Sequence, residues 1–464
     1  MKIQPRTLLI NSFLAGSIVL FGCNTMDKPD LTRLYLASHK ATDQPPVVVI
    51  HGLMGGKLRR QDNHTELWPG GITDIAFSNY EHLALPIEPT TLEPADDGLE
   101  TFAITDKTAG QDFYRAILQT LEGPGGFHPM TPGNSVKYGT RNYYVFTYDW
   151  RQDNVTSAKK LSQFIEQIRH DYHQPNLKVD IIAHSMGGLI ARYYLRYGES
   201  DVLNNNDFPL NQHGGERVRR VVLLGTPNIG SVESIQAFIE GFNVGFGSLP
   251  TEVMATMPSL YQLFPHPISP WLITIEGNQL ERDIFDVEIW KRFQWSIFNP
   301  KIRQRIKSKF TDIDAAEEYL QTLERYFEKH LERARRFVWS LTVPVEKVPW
   351  RLIVFGGDCA LTPARMVVEE IEGESVIKLW PDNIENPLPE INYGHLMLEP
   401  GDGTVTKASL LARESLDPTI PRHSYSFFPL DYAFFLCEKH NRLTGNINFQ
   451  DNLLNTLLTR DERF

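Results

Sequence analysis

Short runs of apolar, largely β-branched residues recur along the chain, separated by stretches in which apolar positions return every three or four residues. The runs are Val47–Ile50, Tyr143–Tyr148, Val179–Ala183, Val218–Gly225, Leu352–Phe355 and Val376–Trp380, with Tyr425–Phe428 as a further candidate. Their apolar character is continuous rather than alternating, the pattern of strands covered on both faces. Between two of them, Leu161, Phe164, Ile165 and Ile168 mark one face of a helix running from Val155 to His170. Strands alternating with helices predict an α/β fold, a mostly parallel sheet with helices on both faces. Reactive groups in such a sheet belong beyond the carboxyl ends of the strands.

Two stretches break this rhythm. Residues 56–141 are rich in Gly, Pro, Trp and acidic residues, have little periodicity, and read as an insertion. Residues 233–349 are mostly helical, with Tyr319, Leu320, Leu323, Tyr326, Phe327, Leu331 and Ala334 on one stripe. A segment of that length after Val218–Gly225 is more than a connection and reads as a cap over the site. The stripe is expected to pack against the cap's other helices. Phe242, Val244, Phe246, Leu249 and Met254, interleaved with glycines, are better placed to line a pocket. The expected organisation is a signal segment 1–22, a tether 23–46, a core formed by 47–232 and 350–464, and a cap 233–349.

The chemistry begins at Ala183-His184-Ser185-Met186-Gly187-Gly188, which joins an apolar run to a helical pattern. Small residues two before and two after the serine allow the strand–turn–helix of a nucleophile elbow. A serine nucleophile needs a base, a group that orients the base, and donors for the oxyanion. His51-Gly52-Leu53-Met54-Gly55-Gly56 directly follows the first strand, so the amides of Leu53 and Met186 are the expected donors. His51 is read as orienting this loop and Gly52 as shaping it. In an elbow fold the acid and then the histidine follow the serine in the chain. Asp402, between Gly401 and Gly403, is the expected acid, with Asp382 or Glu399 as alternatives. His440, between the last strand candidate and a final helix, is the expected base; His423 and His395 are the alternatives.

Hydrophobic residues make up 41% of the 464, enough to bury a full core. A formal charge of -11 argues against nucleic acid as a partner. No His-Glu-x-x-His or Cys-x-x-Cys spacing is present, so neither a metal nor another cofactor is expected. At the N-terminus, Lys2 and Arg6 precede an apolar segment from Thr7 to Gly22, and Cys23 follows. This resembles a bacterial lipoprotein signal, which implies lipidation of Cys23. Asn24 after it points to the outer membrane, facing the periplasm or the cell surface. An uncleaved membrane anchor and ordinary secretion are the other readings. Cys359 and Cys437 then remain, either as a bridge near the base or as two separate thiols.

These pieces together resemble the lecithin:cholesterol acyltransferase family within the α/β-hydrolases. The likeness rests on His51-Gly52-Leu53-Met54-Gly55, Tyr148-Asp149-Trp150-Arg151, the serine segment, and Gly225-Thr226-Pro227-Asn228-Ile229-Gly230-Ser231. Met257-Pro258-Ser259-Leu260-Tyr261, Gly356 with Thr362, Gly401-Asp402-Gly403-Thr404-Val405 and His440 extend it. The resemblance implies Ser185, Asp402 and His440 as the triad and an ion pair of Asp149 with Arg151 supporting the elbow. Trp68 resembles an early tryptophan near the family's acyl pocket and, with His51, is carried as a substrate-contacting residue. Asn228-Ile229 departs from the family's usual Trp-Gly. The implied activity is lipase or phospholipase A chemistry on a phospholipid or acylglycerol through an acyl-enzyme. Acyl transfer to an alcohol or sterol is the alternative, and a catalytically silent lipid-binding lipoprotein the reading from another class.

Overall fold

The computed structural model describes residues 28–41, 44–71, 78–105, 107–108, 111–112, 114–137, 139–244, 247–345, 347–417, 419–422 and 427–459. Cys23 and the signal segment, Phe246, His423 and Tyr425 lie outside the described residues. Seven strands make the central sheet: β1 (Val47–Ile50), β2 (Phe127–Met130), β3 (Arg141–Phe146), β4 (Val179–His184), β5 (Val218–Leu224), β6 (Arg351–Gly357) and β7 (Tyr432–Leu436). Their order is β7-β6-β5-β4-β1-β3-β2, and every pairing is parallel. This is the α/β-hydrolase fold, with helices on both faces and a large helical insertion between β5 and β6.

Alternate residues of each strand feed two separate cores, as the period of the pleat requires. Val48, Ile50, Ile181, Ala183, Val221 and Leu223 face helices α2 (Asn154–Asp171) and α3 (Met186–Tyr197). Val47, Val49, Ile182, Val222 and Leu224 face α1 (Arg115–Glu122) and α7 (Ile447–Leu458). Each such Val, Leu or Ile side chain, taken wholly out of water, contributes about 1.5–3 kcal/mol. The register matters for function. Ile50 pairs with Ala183 and Leu224 with His184, so Gly52, Ser185 and Gly225 emerge level with one another.

The insertion contains α4 (Val232–Glu240), α5 (Pro300–Lys307) and the 28-residue α6 (Ile313–Ser340). On α6, Leu320, Leu323, Tyr326, Phe327, Leu331 and Ala334 are buried, so the stripe is core packing. The far end of α6 is held by α3. Arg192 donates to Leu341 O at 2.7 Å, while Arg196 at 3.1 Å and the Tyr197 hydroxyl at 2.7 Å both reach Ser340 O. Two buried guanidiniums thus meet the negative end of a helix dipole. A second clasp joins Arg333 of α6 to Asp153 at 2.7 Å and to Asp201 at 2.9 Å. No helix among the described residues is long and apolar enough to cross a membrane.

Three expectations need correction. Val376–Trp380 is not a strand of the central sheet: Glu374–Lys378 folds back on Met366–Ile371 in a peripheral sheet that includes Leu272–Thr274. Glu372 and Gly373, at φ 52° and 85°, make the tight turn that this hairpin needs. The last central strand is Tyr432–Leu436, and the described residues of the candidate Tyr425–Phe428, Phe427 and Phe428, lie before it in a loop. Phe428 is instead buried in the core, with the Arg192 guanidinium 5.2 Å from its ring centroid. Finally, the segment 56–141 is not wholly an insertion, because it contains edge strand β2. Only four residues long and carrying Pro129, β2 has no apolar run to announce it.

Candidate active site

Between β4 and α3, Ser185 alone makes the turn, at φ 55° and ψ -128°. A non-glycine residue there is strained by about 1–3 kcal/mol and persists only where its surroundings over-determine it. The surroundings are tight. A Cβ on Gly187 would lie 2.3 Å from His51 O, and one on Gly188 would lie 2.0 Å from Thr226 Oγ1. Helix α3 can start this close to the segments that follow β1 and β5 only because these side chains are absent.

His440 opens a short 3-10 turn just after β7. Its Nε2 stands 3.0 Å from Ser185 Oγ and its Nδ1 2.7 Å from Asp402 Oδ2. The Asp402 carbonyl accepts the His440 amide at 2.9 Å, so the two residues are joined through backbone as well. Asp402 is buried, and its Oδ1 accepts the amides of Thr404 at 3.0 Å and Val405 at 2.7 Å. Burial pushes this carboxyl up, but the His440 ring and the two amides outweigh it and hold the acid below its usual range. Burial pulls His440 down, yet the Asp402 charge and hydrogen bond, with Glu233 adding, leave it above the ordinary 6.5. With Nδ1–H given to Asp402, Nε2 is bare toward the serine hydroxyl. The alternative residues are elsewhere. Asp382 is exposed, Glu399 pairs with Arg365, and His395 is exposed on the short helix Tyr393–Met397.

The loop 51–56 is clamped from several sides. The His51 carbonyl accepts the Tyr148 hydroxyl at 2.8 Å, and Gly52 N–H donates to the Tyr114 hydroxyl at 2.7 Å. The Gly52 carbonyl faces His51 Nδ1 at 2.8 Å and accepts Gly55 N–H at 3.1 Å. A peptide's N–H points opposite to its C=O. Fixing the Gly52 carbonyl therefore aims the Leu53 amide away from the clamp. Met186 is the first residue of α3, where an amide has no intrahelical partner. Trp68 Nε1 holds Met54 O at 2.9 Å, and Trp150 Nε1 holds Gly56 O at 3.1 Å.

His51 is a loop brace, which corrects its reading as a substrate-contacting residue. It is wholly buried, stacks on Tyr148 at 4.2 Å, and accepts Tyr148 N–H at Nε2. Burial pushes it down to about 4, so it is neutral. Trp68, 2% exposed and edge-on to Tyr80 and Trp150, likewise reaches the site through the loop it holds. Asp149 and Arg151 do pair, at 2.7 Å, with Arg151 fully buried. Their other contacts, Asp97 at 2.5 Å and Leu83 O at 3.2 Å, tie down the first insertion rather than the elbow.

Cys359 and Cys437 are bridged, joining the ends of β6 and β7 three residues before His440. Among the described residues no group of three or more His, Cys, Asp or Glu could hold a metal ion. Glu233 went unrecognised in the sequence. It sits in the first turn of α4 and acts electrostatically on both His440 and Asp402, while burial raises its own carboxyl. An acid at that position looks like an ordinary partner of the helix dipole. Tyr114 lies 62 residues from the glycine it binds, in a stretch without periodicity, and gives no sequence signal.

Residues 134–411 match the family model described as "Lecithin:cholesterol acyltransferase", which is more than half of the chain. The chain belongs to the lecithin:cholesterol acyltransferase family. It is therefore a lipid-acting hydrolase or acyltransferase on an α/β-hydrolase fold. The match to this acyltransferase family includes Ser185 and Asp402, while loop 51–56 and His440 fall outside it and join the site through the fold. Among curated proteins, none matches the chain in sequence. A chain of the solved Tle4–Tli4 complex is 16% identical with a TM-score of 0.53, over 90% of this chain and 98% of that one. Lipase 1 from Pelosinus fermentans is 13% identical with a TM-score of 0.35, over 90% and 99% of the two chains. The mature Bacillus licheniformis lipase BlEst2 is 11% identical with a TM-score of 0.32, over 90% and 93%. At these identities the first shows the fold alone.

Proposed function

We propose that this family member is a serine esterase of the lipase or phospholipase A type, with Ser185 as nucleophile, His440 as base and Asp402 as acid. The observation that carries this reading is the line Ser185 Oγ–His440 Nε2–His440 Nδ1–Asp402 Oδ2, with gaps of 3.0 and 2.7 Å. Ser185 Oγ attacks the ester carbonyl as its proton passes to His440 Nε2. The amides of Leu53 and Met186 receive the oxyanion. Collapse of the tetrahedral intermediate expels the alcohol, which takes the proton from His440 and leaves an acyl-serine. Water, deprotonated by His440, then releases the fatty acid.

Acyl transfer is the second reading, favoured by membership in a family named for it. An alcohol then replaces water in the last step. The proposed donor is a phospholipid or acylglycerol. The hairpin of Phe242–Val244 with Gly247–Leu249 is the proposed acyl wall, since Ser248 bonds Ser78 beside Tyr80, and Tyr80 packs on Trp68. Lipidation at Cys23 and an outer-membrane location are proposed with it. The Cys359–Cys437 bridge supports an oxidising compartment.

The test is a fluorophosphonate probe, expected to label the wild type and not Ser185→Ala. Labelling that survives in Ser185→Ala overturns the assignment. A phospholipid with a labelled acyl chain, offered with and without an acceptor alcohol, separates free fatty acid from new ester. Lipid on the membrane-bound protein, lost in Cys23→Ser, tests the anchor.

A further inference from the structure

The proposed oxyanion donors come from two different chain segments. Leu53 lies on the loop after β1 and Met186 on the elbow after β4. Strand pairing fixes their relative position only up to Ile50 and Ala183, the last pair in register. Beyond that pair no strand pairing joins the two backbones, although they stay in close contact. One side chain bonds to both. The Tyr114 hydroxyl accepts Gly52 N–H at 2.7 Å and meets His184 Nδ1 at 2.8 Å.

We propose that Tyr114 is a positioning residue for the oxyanion site, its hydroxyl locking the loop that carries Leu53 to the elbow that carries Met186. This rests on the esterase reading above and adds to it a residue outside the triad. A phenol oxygen has one proton to give. It accepts Gly52 N–H, and the one acceptor bonded to it among the described residues is His184 Nδ1, which receives that proton and is then bare. His184 then carries its proton on Nε2, beside the backbone of His440 and beyond bonding distance of an acceptor among the described residues. The network thus requires opposite tautomers in the two neighbouring histidines. His51 has its proton on Nδ1, facing Gly52 O, and His184 has it on Nε2.

The surroundings keep these groups in one state. Burial pushes His184 down to about 3, with the His440 charge adding, and pushes the Tyr114 phenol well up. Neither group titrates over the range in which His440 does. Tyr114 is 2% exposed, so a phenylalanine in its place would fill the same space and lose only the hydroxyl. Gly52 N–H would then be left buried without a partner and could regain one only by turning its peptide. That rotation moves the adjoining Gly52–Leu53 unit and with it the aim of the Leu53 amide.

The experiment compares full-length wild type, Tyr114→Phe and Ser185→Ala on a p-nitrophenyl ester, with inhibition by an alkyl trifluoromethyl ketone. The ketone's adduct with the serine places an oxyanion between the two amides. Complete loss of one such donor costs about 10²–10³ in kcat, so a misaimed one is expected to cost about 10–100-fold. Tyr114→Phe should therefore lose about 10–100-fold in kcat, weaken the ketone by the same factor, and leave KM nearly unchanged. Unchanged kcat and ketone affinity in a folded Tyr114→Phe overturn the proposal while leaving the esterase reading intact. An active Ser185→Ala removes that reading itself. Should Tyr114→Phe not fold, ¹⁵N-histidine spectra of the wild type decide the matter. A bare Nδ1 and protonated Nε2 at His184, with the reverse at His51, support the lock, and a protonated His184 Nδ1 overturns it.

Discussion

Gly52 and Ser185 lie so close that a methyl group on the glycine would sit 2.6 Å from the serine Cβ and 3.0 Å from His184 O. The donor loop and the nucleophile elbow are therefore packed against each other with no room between them. Gly52→Ala must push one of them aside. We expect esterase activity to fall at least about 100-fold, because the loop holds the Leu53 donor. Overpacking should also cost about 1–3 kcal/mol in stability. Kinetics and thermal unfolding of the variant check both numbers.

The base must be neutral to accept the serine proton, and in the folded protein it is held above 6.5. Protonation then shuts activity off as pH falls, so the acid limb of kcat/KM has its midpoint above that value. Glu233 is one cause of the elevation. In Glu233→Gln the midpoint should move to lower pH, with activity on the alkaline plateau little changed. A midpoint that stays in place would remove Glu233 from the electrostatics of the base.

Arg333 joins the helical insertion to the core through Asp153 and Asp201, with its side chain 18% exposed and that of Asp153 10%. Removing one partner of a largely buried pair leaves a charge behind, at about 3–5 kcal/mol. Arg333→Met should lower the stability by that order in denaturant unfolding. Asp153 also caps α2 and accepts Gln262 at 2.8 Å, so Asp153→Ala should cost at least as much.

The Cys359–Cys437 bridge closes a stretch of 78 residues that includes Asp402 and ends just before His440. A cross-link of this kind contributes about 2–4 kcal/mol, chiefly by restricting the unfolded chain. Replacing both cysteines by serine should lower stability by that amount. Mass spectrometry after alkylation should show two more alkyl groups on the reduced protein than on the unreduced one, at Cys359 and Cys437.

Much of this architecture could be read from the chain because continuous apolar strands leave little choice of layer. Val47–Ile50 is identical in expectation and in the structure, and α2 differs from its expected span by one residue at each end. Ser185, Asp402 and His440 could be placed because each follows a strand or a glycine turn at the same end of the sheet. What escaped were residues whose roles arise only in three dimensions. Tyr114 reaches Gly52 and His184 across 62 and 70 positions. The Tyr148-Asp149-Trp150-Arg151 segment could be recognised but its work could not. Tyr148 and Trp150 hold the donor loop, while Arg151 faces the first insertion. Phe427-Phe428 and Phe434-Phe435 are equally apolar, and pairing with β6 rather than hydrophobicity separates the strand from the loop.

The most direct test of the central claim is a mutant cycle between Ser185 and His440. Residues that act as one catalytic unit are strongly non-additive, since losing either removes the function of both. With Nε2 3.0 Å from Oγ, Ser185→Ala, His440→Ala and the double variant should all lose kcat by about the same factor, of order 10⁴–10⁶. A double variant whose loss is the product of the two single losses would contradict a shared serine–histidine mechanism.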